Sequence, residues 1–299
     1  MQTKSNNDFN NNLVDVFNLL SIKGKYRVIG SSSLKEILYN SDYDLNEMDH
    51  IKGPDAFTKV YEIFKHKFKI AKSNKNIYIS DFKCGINNDQ PIRWSYNDMM
   101  TKKQQFIDAL KTKSMIKLDI IYLLNGIYVE ITEVYFLDIG NHTTYENKEL
   151  DSSTIKTGLI ESLNECLKDG LYFKALKRLF SLKNINGKKD TRLINFFNCQ
   201  SGILYKANAD LNVLMALITN NFRKPPIDTI KNNLQIIKQN LSIQIETREN
   251  VSLLIDDICK LNKLDEMHIY IEKLSVYLSK IFNRDAKTLY EKYYKNMVG

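Results

Sequence analysis

The sequence predicts an α+β fold: a mixed β-sheet core with flanking helices over residues 1–150, followed by an all-helical domain over residues 151–299. Three observations lead to that expectation. Strand-like alternation and a strong hairpin signal are confined to the first half, long helical periodicities take over after residue 150, and positive charge accumulates in the second half.

Taken in order, Val28-Ile29 ends a strand that runs into Gly30-Ser31-Ser32-Ser33; Leu34 to Tyr39 follows as a short helix and Asp42 to Leu45 as a second strand. Pro54 opens a segment with Phe57, Val60, Tyr61, Phe64 and Phe68 at helical spacing. This predicts an amphipathic helix to about Lys72, because proline is well tolerated in a first helical turn. Ile77 to Phe82 reads as a strand. Met115 to Leu124 and Ile127 to Phe136 flank Asn125-Gly126, a dipeptide suited to the positive φ angles of a tight hairpin, so two antiparallel strands are expected there.

After residue 150 the breakers are Gly170, Asn186-Gly187 and Pro225-Pro226. Between the first two, Leu171, Ala175, Leu176, Leu179, Phe180 and Leu182 gather on one side of a helix and leave Lys174, Lys177 and Arg178 on a cationic side. Four further helices are expected: Ile227 to Leu241, Val251 to Leu261, Met267 to Phe282 and Ala286 to Met297. No internal repeat is visible, and a helical bundle or cap is the expected assembly.

With 299 residues and 43% hydrophobic content the chain can bury one large core or two modest ones. Met1 to Asn12 is polar and Asn-rich, and nowhere do about 18 apolar residues run together as a membrane span requires, so a soluble, intracellular protein is expected. Cys84, Cys166, Cys199 and Cys259 lie too far apart for a zinc site and are too few for a disulfide scaffold; they read as reduced packing residues. Of the net charge of +8, residues 1–150 supply +1 and the remainder +7. Such asymmetry suits a polyanionic partner, since lysine and arginine gain affinity by displacing the counterions of phosphates; a solvated lysine-rich helical surface is the other reading.

The chemistry is concentrated in Gly30-Ser31-Ser32 and Asp42-Tyr43-Asp44. Carboxylates two positions apart on a strand share a face, because side-chain direction repeats every two residues, and so can share metal. Two-metal phosphoryl transfer uses such carboxylates, since Mg2+ or Mn2+ prefers hard oxygen ligands. Gly30, Ser31 and Ser32 sit where a helix begins, and their backbone N–H groups and hydroxyls are candidates to cradle a triphosphate. Asp119, inside the apolar run Ile116 to Ile121, is the candidate third carboxylate, because an isolated buried charge there would be costly unless a metal shared it. Glu130 and Glu133 follow the hairpin and read as a solvated strand face, although Glu130 has the parity to join Asp119. Walker-type and Gly-X-Gly-X-X-Gly loops are absent, as is a His-Glu-X-X-His helix, and His50, His66, His142 and His268 are scattered.

The order Gly30-Ser31, Asp42-Tyr43-Asp44, Asp119 resembles the signature of the DNA polymerase beta superfamily of nucleotidyltransferases. Ser41 to Leu45, Asp81 to Gly85, Pro91 to Trp94, Ile116 to Asp119 and Tyr172 to Arg178 further resemble the poly(A) polymerase catalytic subunits of large and giant DNA viruses. That resemblance implies a viral, template-independent adenylyltransferase of the host cytoplasm or virion. It would add AMP from ATP to RNA 3′ ends, with two Mg2+ or Mn2+ ions on Asp42, Asp44 and Asp119 and the triphosphate on Ser31 and Ser32. It also implies, by the helix that follows the catalytic domain in such enzymes, base or phosphate contacts from Tyr172, Lys174 and Lys177. Members of this kind extend beyond this length with a further RNA- or partner-binding domain, so a homodimer or a separate processivity subunit is expected as partner. Two alternatives stay open: the same core with another base or acceptor, such as a tRNA end, and a non-catalytic RNA-binding paralogue.

Overall fold

The computed structural model describes residues 26–29, 42–47, 55–84, 92–93, 96–110, 115–124, 126–136, 152–219, 223–242 and 248–297. These fall into two compact units. The first carries the sheet and also takes in Thr219–Pro225; the second carries the helices from residue 152 onward.

In the sheet unit, strands β1 (Tyr26–Ile29), β2 (Asp42–Glu47), β3 (Ile77–Cys84), β4 (Ile92–Arg93), β5 (Met115–Leu124) and β6 (Ile127–Phe136) lie in the order β1-β2-β6-β5-β3-β4. Only β2 and β6 run parallel among these pairs; the rest are antiparallel, which makes the sheet mixed. The expected hairpin forms over the expected residues, and Gly126 supplies the positive φ of 81° at its turn. β5 is central because it is apolar on both faces: Leu118, Ile120, Ile121 and Tyr122 are all buried.

Helix α1 (Ala56–Ser73) buries Val60, Tyr61, Phe64, Phe68 and Ala71, much the stripe the sequence predicts, and packs on β3. Two short helices follow, α2 (Tyr96–Thr101) and α3 (Lys103–Leu110). Phe106 of α3, fully buried, meets the Tyr61 ring at 6.1 Å. The turn between α1 and β3 is pinned from a distant part of the chain. Arg223 Nη2 donates to the carbonyls of Asn74, Lys75 and Ile77 at 3.1, 2.9 and 2.7 Å, while its guanidinium lies 4.4 Å from the Tyr78 ring centroid.

The helical unit comprises α4 (Ser152–Lys168), α5 (Tyr172–Ile185), α6 (Thr191–Asn198), α7 (Gln200–Thr219), α8 (Ile227–Ser242), α9 (Arg248–Lys260) and α10 (Leu264–Tyr293), closed by a 3₁₀ turn at Lys295–Met297. Gly170 and Gly187 stop α4 and α5 as the sequence suggests. Each takes a positive φ, near 70°, and in each case the following N–H reaches back five residues, Leu171 to the Cys166 carbonyl and Lys188 to that of Lys183. Pro226 begins α8, its carbonyl accepting from the Thr229 and Ile230 N–H groups.

Three expectations need correction. The predicted helices Met267 to Phe282 and Ala286 to Met297 are one continuous helix, α10, of 30 residues. The polar stretch Asn283-Arg284-Asp285, between the two predicted ranges, is helical, and two of its side chains serve tertiary bonds: Asn283 Oδ1 accepts from the Phe173 N–H at 3.1 Å and Asp285 Oδ2 from Ser201 Oγ at 2.9 Å. Second, Phe173 was absent from the predicted packed face of α5, and Leu182 stood in it. Phe173 is in fact buried at the hub of an aromatic cluster, stacked on Tyr205 at 4.3 Å and edge-on to Phe197 and Phe282, whereas Leu182 is only half-buried. Burying a side chain of that size contributes about 1.5–3 kcal/mol, and the ring–ring geometry adds to it. Third, Cys199 is exposed rather than packed, its thiol donating to the Phe196 carbonyl.

Candidate functional site

Strand pairing aligns the acidic positions. Asp44 pairs with Thr132, Thr132 with Asp119, and Asp119 with Asp81, so one row crosses β2, β6, β5 and β3. The next row on the same face holds Asp42, paired with Glu130, which is paired in turn with Ile121. Cross-strand partners share a face of the sheet, so the positions of Asp42, Asp44 and Asp119 share one. Asp44 and Asp119 are two strand spacings apart, about 10 Å between Cα atoms.

Asp119 is 7% exposed and lies between the buried Leu118 and Ile120, where a carboxylate must be solvated by partners rather than by bulk water. Gly30, Ser31 and Ser32 lie outside the described residues; Ile29, which precedes them, pairs with Asp44. Among the described side chains no group of three His, Cys, Asp or Glu is arranged as a metal cage. The carboxylate set at positions 42, 44 and 119 is given by backbone register, and its chemistry, hard oxygen donors only, fits Mg2+ or Mn2+.

Two further acidic positions lie on this face. Glu130, read from sequence as part of a solvated strand face with the side of Asp119 as the alternative, is half-buried in the row beside Asp119. Asp81 was hidden by a β-bulge: counting by twos from Tyr78 puts it on the opposite face, but the register shifts between Ile79 and Asp81, and the extra residue returns Asp81 to the row of Asp119. Alternation alone cannot reveal such a shift. The acidic residue among strand apolars was the available signal.

The three remaining candidates belong to the helical unit. Tyr172, at the start of α5, is half-buried against Tyr290, ring centroids 5.8 Å apart, and Lys287 Nζ is 5.8 Å from its ring. Lys174 is exposed. Lys177 departs from the expected solvated cation: it is half-buried, donates to Tyr205 Oη at 3.4 Å and lies 4.8 Å from that ring. Arg178 is likewise engaged, its Nε donating to Ser162 Oγ of α4 at 3.0 Å.

No protein-family profile matches the chain, and no curated protein matches it. Solved structures do. A Megaviridae ORFan product described as a new nucleotidyl transferase superposes with a TM-score of 0.67 at 14% identity, over 90% of this chain and 85% of that one. The M. chilensis Mg662 protein complexed with GTP superposes with a TM-score of 0.65 at 14% identity, over 92% and 89%. A further structure described as a Megaviridae ORFan nucleotidyl transferase gives 0.56 at 11%. At such identities the likeness is one of fold, and it extends over both the sheet unit and the helical unit: the chain shares the fold of these three proteins, two of them described as nucleotidyl transferases. No described helix is long and apolar enough to cross a membrane.

Proposed function

We propose that the chain is a metal-dependent nucleotidyltransferase that transfers AMP from ATP to the 3′ end of RNA. The observation that carries this reading is the row that joins Asp44 to Asp119 through Thr132, with Asp42 one row away on the same face. The shared fold of the Megaviridae proteins supports the transferase class, and the resemblance to viral poly(A) polymerases supports the adenylyl donor and the RNA acceptor.

In this reading the 3′ hydroxyl oxygen attacks the α-phosphorus. A new P–O bond forms there, the bond to the bridging oxygen breaks, and pyrophosphate leaves with that electron pair. Asp119 holds the hydroxyl in line and takes its proton on a carboxylate oxygen. Asp42 and Asp44 hold the triphosphate end of the reaction, and the Ser31 and Ser32 hydroxyls and N–H groups bind its outer phosphates. Mg2+ or Mn2+, when held by the three aspartates, supplies the positive charge that offsets triphosphate and leaving group. Tyr172, Lys174 and Lys177 are assigned to base and phosphate contact, Lys177 with the least freedom to move. A homodimer or a separate processivity subunit remains part of this proposal.

A second reading is favoured by one finding, the GTP bound to the M. chilensis protein: the same core with guanylyl as the transferred group. Both are tested together by incubating the chain with a short single-stranded RNA, Mg2+ or Mn2+ and each labelled nucleoside triphosphate in turn. ATP-dependent extension is expected. Asp44→Asn and Asp119→Asn should each lower the rate by about 10²-fold or more, the scale of losing an electrostatic stabiliser of a transition state, with unchanged circular dichroism. Equal rates in wild type and both variants would refute the proposal, and extension with GTP alone would replace the adenylyl reading by the guanylyl one.

A further inference from the structure

The end of α10 and the starts of α5 and α6 form one surface of the helical unit on which cations and tyrosine rings alternate. Arg192, first turn of α6, and Lys292, last turn of α10, are both exposed, and their charged groups lie 4.9 and 5.1 Å from the ring centroid of Tyr293, which is half-buried. One turn back along α10, the exposed Lys287 approaches the ring of Tyr172, which packs against Tyr290. The helix ends are locked together beneath: Tyr294 Oη donates to Asp190 at 3.0 Å, and Asp190 accepts the α6 N–H groups of Arg192 and Leu193. The surface is therefore held on rigid elements.

The carboxylates nearby do little to neutralise it. Asp190 is 8% exposed and committed to Lys183, Tyr294 and the α6 cap. Glu291 pairs with Lys287 at 3.8 Å, with both side chains about half exposed, an arrangement that contributes little and that a phosphate can replace. Like charges gathered on a few turns repel one another, and a polyanion relieves that repulsion while releasing its own counterions. Each cation rests over a tyrosine ring, and turned outward onto a phosphate it opens that ring face to a base, so the surface suits the alternation of base and phosphate in an unpaired strand. Duplex RNA hides its base faces in the stack and would leave the rings unused.

We infer that this surface binds single-stranded RNA through phosphate contacts from Arg192, Lys287 and Lys292 and base stacking on Tyr293 and Tyr172. The inference rests on the reading of the chain as an RNA-directed nucleotidyltransferase and adds to it a binding surface of stated composition, seated in the helical unit.

The test measures fluorescence anisotropy of a dye-labelled 15-nucleotide single-stranded RNA with the full chain over a range of salt concentrations. Arg192→Ala with Lys292→Ala should weaken binding at least 10-fold and reduce the log–log salt slope by about 1.4, the value for two lost phosphate contacts on a single strand. Tyr293→Leu should weaken binding about 5-fold or more and leave the slope in place, since stacking releases no counterions. The inference is overturned if the double variant binds with the affinity and slope of wild type, or if a duplex of the same length binds more tightly than the strand. It is equally overturned if the surface captures a protein while RNA binding is indifferent to these residues. Asp119→Asn, which should lose transfer and keep wild-type strand affinity and salt slope, keeps the two proposals apart. A wild-type chain that binds the strand through this surface but transfers no nucleotide refutes the transferase and leaves the surface; transfer indifferent to the double variant, with RNA affinity unchanged, refutes the surface alone.

Discussion

Asp190 shows how much one side chain can carry. Its carboxylate accepts from Lys183 Nζ at 2.5 Å, from Tyr294 Oη at 3.0 Å and from two backbone N–H groups at the start of α6, so it ties α5, α6 and the end of α10 to a single point. Burial works to raise its pKa, but the hydrogen bonds from Lys183 and Tyr294, the Lys183 charge and the Leu193 N–H together outweigh it and hold the carboxyl below its ordinary value of 3.8. The same bond, with burial leading, pushes the Tyr294 hydroxyl upward. A carboxyl with a depressed folded-state pKa stabilises the fold fully above 3.8, and that contribution is lost as pH falls through the lower folded value. Asp190→Ala, which leaves a half-buried lysine, the buried Tyr294 hydroxyl and the start of α6 without their acceptor, should cost about 2–4 kcal/mol in urea unfolding at pH 7. Asp190→Asn should be less costly and should flatten the acid limb of the stability curve below pH 4; an unchanged acid limb would show that other carboxylates govern it.

Elements meet in this chain at places where the sequence leaves no slack. At the junction of α6 and α7, Gly202 is buried, and a Cβ built there would stand 1.7 Å from the Phe197 carbonyl oxygen. The obstacle is backbone and cannot rotate away. Gly202→Ala should therefore cost at least the upper end of the roughly 1–3 kcal/mol typical of overpacking, read as a lower midpoint of thermal unfolding, and an unchanged midpoint would mean that the two helices can part at no cost. The glycines after α4 and α5 are legible from sequence because a chain stop needs a left-handed residue; the role of Gly202 is not, because it arises from a helix packed against it. The same holds for α10. Its continuity through Asn283 to Asp285 follows from hydrogen-bond partners in α5 and α7, which local propensity does not contain.

At the scale of the molecule, the chain leaves the helical unit at Thr219, spends Thr219–Pro225 with the sheet unit, and returns at Pro226. Arg223 anchors that excursion on the α1–β3 turn, next to the strand that brings Asp81 into the acidic row. Arg223→Ala removes a guanidinium shared by three carbonyls and a ring, and should destabilise the sheet unit by about 2–4 kcal/mol, seen as faster amide exchange in the 74–78 turn; Arg223→Lys should recover little, since an ammonium cannot reproduce the planar fork. Unchanged exchange would release the segment from that role. Composition, hydrophobic period and turn chemistry sufficed for the α+β class, the β5–β6 hairpin, the α1 stripe, the glycine stops and the placing of Asp42, Asp44 and Asp119 on strands, because each is written within one element. Tertiary structure alone decided the strand order that brings Asp44 and Asp119 into one row, the bulge that returns Asp81 to it, the unbroken α10 and the placing of Arg223. These depend on partners distant in the chain, whose pairing and packing free energies no local window of residues contains.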